Sequence, residues 1–93
     1  MKTDVLEQIL GGLKGVKKEG GRFQVAEACF LTVMAQMGQE LLTLARVVQI
    51  EVAKEICVVA TAKHERYFLP AELILAIKVE QEEASGSPFA GFR

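Results

Sequence analysis

The segment from Val47 to Lys63 constrains the fold of this chain more than any other. Of its eight even positions, 48 to 62, seven are apolar (Val48, Ile50, Val52, Ile56, Val58, Ala60 and Ala62), and Lys54 is the exception. Gln49, Glu51, Glu55, Thr61 and Lys63 all stand at odd positions. A period of two places side chains alternately on opposite faces of a strand, whereas a helix repeats every 3.6 residues. Half of residues 47 to 62 are Val, Ile or Thr, whose stiff χ1 suits a pleated surface. The segment therefore reads as strand. No Gly, Asn, Asp, Ser or Pro lies between 39 and 69, so a hairpin within it must turn on Ala53-Lys54-Glu55. One long helix through the same region is the alternative, and it would make the chain all-α with a long central helix.

Around that segment the pattern is mixed. Val5, Leu6, Ile9, Leu10 and Leu13 recur at helical spacing behind Thr3 and Asp4, which predicts a short helix from Thr3 to about Gly12. Glu19-Gly20-Gly21-Arg22 separates Val16 from the alternating Phe23 and Val25 and predicts a tight hairpin. Ala26, Phe30, Val33, Met37, Leu41, Leu44 and Val48 step by three or four, predicting a helix over about 28 to 45. Lys63-His64-Glu65 reads as a turn and Arg66 to Leu69 as extended, and Pro70 suits the first turn of a helix running to about Ala84. The expected fold class is α+β: a small, mostly antiparallel sheet with two or three helices packed on one face. A single domain is expected over 1–84, with a flexible C-terminal tail over 85–93.

Two local likenesses arise. The stretch Leu13-Lys14-Gly15-Val16-Lys17-Lys18 with Gly20-Gly21-Arg22-Phe23 resembles the lead-in to the zinc-binding domain of phage-type primases. Cysteine and histidine ligands follow it there; here Ala26 to Phe30 supplies only Cys29, and Cys57 and His64 fall outside ligand spacing. Phe68 to Ile77 resembles the last helix of core histones, but the period of 39 to 62 does not fit that fold's central helix. Neither likeness carries a functional residue over.

Composition narrows function by exclusion. There is no Trp or Asn, one Asp (Asp4), one His, one Tyr, and Ser only at 85 and 87, so convergent catalytic groups are scarce and no enzyme is expected. A thiol of Cys29 or Cys57 with His64 as base is the remaining catalytic arrangement; two small buried side chains and a turn histidine account for the same residues. The glycines match no phosphate-cradling motif, and no cofactor or metal is expected. With two cysteines in apolar runs, a reducing cytoplasm is the expected compartment. No uncharged run approaches the roughly twenty residues a spanning helix needs, so no membrane association is expected.

Eleven basic residues against twelve acidic give a formal charge of −1, so any nucleic-acid affinity must come from a local patch. Lys14, Lys17, Lys18 and Arg22 around the first hairpin form the one such patch, opposed only by Glu19. His64, Arg66 and Tyr67 form a second polar cluster, a candidate binding edge. Between Phe23 and Val79, 36 of 57 residues are apolar and 11 are charged. A domain this small buries only about two-thirds of the surface its unfolded chain exposes, so part of that apolar content must be covered from outside. The expected role is a non-catalytic binding or accessory protein acting as a homo-oligomer, a dimer first, with Val58, Leu73 and Ile77 at the interface. A protein partner is the other way to cover the surplus, and a small nucleic-acid-binding module using hairpin 14–22 is the alternative function.

Overall fold

The computed structural model describes residues 1–81; segment 82–93, which includes the tail expected at 85–93, lies outside the described residues. Helix α1 (Thr3–Gly11) comes first, followed by strands β1 (Val16–Glu19), β2 (Arg22–Val25), β3 (Cys29–Met37), β4 (Glu40–Ala53), β5 (Ile56–Thr61), β6 (Arg66–Pro70) and β7 (Ile74–Gln81). A single 3-10 turn, Ala71–Leu73, joins the last two. All pairings are antiparallel.

β4 organises the sheet. β2 and β3 follow one another along one of its edges, Gln24 opposite Gln49 and Leu31 opposite Val47, with a break at 26–28. β5 takes the other edge from Val47 to Ala53 and carries β6 beyond it. β1 flanks β2, and β7 flanks β3. Midway along β4, Arg46 adopts φ 55°, left-handed backbone inside a strand, and the register slips on both sides of it. Its carbonyl still accepts a hydrogen bond from Ala62 N–H at 2.9 Å. This bulge bends the strand and curls the sheet around its own inner face.

Three of the four hairpins close with two-residue loops, each with its first residue at positive φ: Gly20 at 64°, Gly38 at 65° and Lys54 at 57°. The turn on Ala53-Lys54-Glu55 thus forms where the period required it, with a lysine in a position glycine would occupy at less cost. Leu31, Val33, Leu44, Val47, Ile50 and Val59 fill the curl, and α1 closes its open end with Leu6 and Leu10, both fully buried. The Met1 ammonium donates to Ala71 O (3.0 Å) and Ile74 O (2.9 Å), tying the start of the helix to the 3-10 turn.

Several expectations are corrected. The α+β arrangement with two or three helices is replaced by a curled antiparallel β-sheet with one short helix, and the all-α alternative fails with it. The helix expected over 28 to 45 is instead β3, the Gly38 turn and the first part of β4. Along β3 the odd positions Cys29, Leu31, Val33 and Ala35 are buried while Phe30, Thr32 and Met34 are half-covered, so both faces are largely apolar and the three-to-four spacing is coincidental. The helix expected from Pro70 is one 3-10 turn and then β7, in which a register slip opposite Met34 and Ala35 breaks the alternation at Leu75 and Ala76. The strands at 47–63, the first hairpin and α1 agree with the sequence pattern.

Because Leu6 and Leu10 are the two fully buried side chains of α1, Leu10→Ala is expected to cost about 2–5 kcal/mol. Leu75→Ala, at an exposed position on β7, is expected to stay within about 0.5 kcal/mol. Urea unfolding of the two variants measures both.

Candidate functional site

The bend in β4 opens a depression of about 410 Å³ on the sheet surface, where the break between β2 and β3 leaves the edge of β4 uncovered. Arg46 and Phe30 stand on one side of it, with the guanidinium carbon 5.1 Å from the ring centroid. A cation over an aromatic face is attracted by the ring quadrupole, and such a contact leaves guanidinium N–H groups free to donate. Gln24 and Gln49 line the other side, their amides joined by a long 3.4 Å bond from Nε2 of Gln24 to Oε1 of Gln49. Val25, Ala26 and Cys29 add apolar wall, and Glu27 is the carboxylate among the lining residues.

An adjoining depression of about 510 Å³ is lined by Lys14 and Lys17 and shares Gln24, Val25 and Ala26 with the first. The two form one continuous surface. The other hairpin cations are placed differently. Lys18 lies over the Phe23 ring at 5.8 Å, opposite the face that carries Lys17, and Arg22 approaches the Glu51 carboxylate at 3.9 Å. Of the sequence-predicted basic patch, the structure therefore brings Lys14 and Lys17 together, sets Arg22 beside Glu51 in the next row of the same face, and turns Lys18 to the opposite face.

The His64 cluster is likewise divided. His64 is exposed in the β5–β6 turn at φ 66°. Arg66 points outward, whereas Tyr67 packs against the core and donates its hydroxyl to Glu65 Oε1 at 3.2 Å. That bond, and the Glu65 charge behind it, hold the Tyr67 phenol above its ordinary pKa. Among the predicted interface residues, Val58 is half-buried on the outer face opposite Phe68. Leu73, expected on a helix, sits in the 3-10 turn, and Ile77 packs inward against the core from β7.

Sequence reasoning missed Arg46, Phe30, Gln24, Gln49 and Phe68. Arg46 carried one signal: it is the single charged side chain between Glu40 and Glu51. Both cysteines are free and buried. Burial pushes both thiols up, Cys57 to about 11; there the Met1 ammonium pulls weakly the other way and Glu7 adds a little to the rise. Among the described residues, no group of three or more His, Cys, Asp or Glu side chains is placed to hold a metal ion, and no helix is long and apolar enough to cross a membrane.

No protein-family model, curated protein or solved structure matches this chain.

The thiol of Cys57 makes stability depend on pH in the alkaline range. Unfolded, it loses its proton near 9; folded, it keeps it until about 11. Above the unfolded value the native state binds more protons, so stability is whole below about pH 9 and falls as pH rises toward 11. The midpoint of urea unfolding is expected to drop as pH rises from about 9 toward about 11, and Cys57→Ala is expected to flatten that drop.

Proposed function

We propose that this chain is a non-catalytic binding or accessory protein whose working form is a two-fold dimer, joined along the free edge of β6. The observation that carries this reading is an apolar strand edge that, among the described residues, pairs with no strand but β5 on its other side. Phe68 is 66% exposed, and Leu41 (56%) and Met37 line the same depression as Phe68. Val58 and Ile56 continue the apolar surface across β5, paired with Phe68 and Pro70. Natural edges are normally blunted by charge or cover, and an uncovered one invites another strand.

The hydrogen-bond pattern of that edge is self-complementary. Thr61 N–H donates to Glu65 O at 2.9 Å, and Ala71 N–H donates to Glu55 O at 2.7 Å. Bonded pairs alternate along an antiparallel ladder, so Tyr67 and Leu69 face β5 while Arg66 and Phe68 turn their N–H and C=O groups outward. Pro70 offers its carbonyl alone. A second copy laid antiparallel with Phe68 opposite the partner's Phe68 exchanges both bonds there. Each Arg66 N–H then meets the carbonyl of the partner's Pro70. The missing N–H of Pro70 and the 3-10 turn behind it stop the ladder from running on. The same register brings cationic Arg66 toward the end of β6 that is followed by Glu72, so the charges at the rim are complementary.

Sedimentation equilibrium at concentrations on the order of tens of micromolar is expected to show a dimer, and Phe68→Lys to give a soluble monomer with unchanged unfolding of the subunit. Val58→Glu, one strand further in, is expected to act in the same direction. A parent chain that stays monomeric under these conditions overturns the reading.

A further inference from the structure

The bend at Arg46 raises a question that the sheet alone does not answer. A bulge needs left-handed backbone at this point, and glycine or asparagine would supply it with less strain than arginine. Lys54 and His64, the other non-glycine residues at positive φ, lie in turns; Arg46 lies inside a strand. Strain of this kind is retained where the side chain it displays has a use. Here the bend aims the guanidinium over the Phe30 ring and into the depression that Gln24 and Gln49 line. Among the described residues, no carboxylate lies within ion-pair distance of it.

We propose that this depression binds the heteroaromatic base of a nucleotide, with the phosphate held by Lys14 and Lys17 in the adjoining depression. The parts match that chemistry one by one. The Arg46 guanidinium lies near the Phe30 ring yet stays exposed, and arginine planes stack on bases. The bond between Gln24 and Gln49 is near its length limit. Each amide therefore keeps a donor and an acceptor for a base edge. Glu27 offsets the Arg46 charge in one half of the surface, while the two lysines leave the other half net positive and attract a phosphate there. The charge distribution thus orients the ligand: base against Arg46, phosphate against Lys14 and Lys17. A free nucleoside monophosphate and the end of a single strand present the same base and phosphate. This site lies on β1 and the residues before it, β2, the start of β3 and the middle of β4, and is independent of the β6 edge.

The test is calorimetric titration of the intact chain with a purine and a pyrimidine nucleoside monophosphate, the matching nucleosides, and a short single-stranded oligonucleotide. At least one monophosphate is expected to bind saturably, and its nucleoside about tenfold more weakly. Lys14→Gln with Lys17→Gln is expected to bring the monophosphate down to the level of the nucleoside. Arg46→Gly removes the guanidinium while relieving the backbone, so it is expected to melt no lower than the parent and to bind at least about tenfold more weakly. Arg46→Lys keeps the charge without the plane and is expected to weaken binding as well, which preserves the test if the glycine variant does not fold. An oligonucleotide that binds more tightly than its monophosphate identifies a strand as the source; equal or weaker binding identifies the free nucleotide. The proposal is overturned if neither ligand saturates the protein at millimolar concentration, or if Arg46→Gly, folded, binds as the parent does.

Discussion

Everything in this structure depends on β4 serving neighbours on both edges while bending in the middle. A fourteen-residue strand carries more twist than a small flat sheet can absorb. The left-handed residue at Arg46 concentrates that bend in one place, and the register slips on either side show both neighbouring ladders adjusting to it. Before the bend β4 pairs with β3; beyond it the strand holds β2 on one edge and β5 on the other. The same bend turns a sheet with two exposed faces into one with an inside, and α1 covers what remains open with Leu6 and Leu10.

The surplus of apolar side chains also has a geometric origin. Before the turn at Lys54 the even positions Ile50 and Val52 face the core; after it the odd positions Cys57 and Val59 do. A two-residue loop pairs Val52 with Cys57 and Ile50 with Val59, so the inner face passes from even to odd across it. Ile56, Val58 and Ala60 continue the apolar even series but on the outer face, and Phe68 and Pro70 stand opposite the first two. At the other side of the sheet the outer surface is polar, with Lys17, Gln24 and Gln49 in one cross-strand row and Arg22 beside Glu51 in the next. One face of the molecule is therefore divided into an apolar region and a polar one.

The sequence was most legible where one face of an element is clearly polar. α1, the Gly20-Gly21 hairpin and the β4 half of 47–63 each show a polar stripe, β5 shows apolar residues on both faces and reads as strand from its β-branched residues, and the turn at Lys54 forms despite an unfavourable residue. β3 and β7 were not legible for opposite reasons. Both faces of β3 are covered to some degree, so no polar stripe marks its alternation. β7 does alternate, but the slip opposite Ala35 shifts its phase, and Pro70 before it imitates a helix start. For the site, the lysines at 14 and 17 were visible as charge, but which strand face each cation occupies depends on register. Arg46 could not be valued from sequence because its role comes from a backbone angle.

The pairing of β7 with β3 has a consequence for how the chain reaches this state. It is the pairing of longest range in the sheet: Gln24 meets Gln49 and Arg22 meets Glu51 where β2 joins β4, whereas Ala35 must find Ile74 and Cys29 must find Gln81. Closing so long a loop is an entropic cost met before any contact offsets it, and non-local strand pairing of this kind slows folding. Until β7 arrives, β3 offers an unpaired backbone edge with Leu31 and Val33 beside it. During synthesis that edge stays open from the time β3 emerges until β7 follows it, so the nascent chain carries an adhesive strand edge through that whole interval.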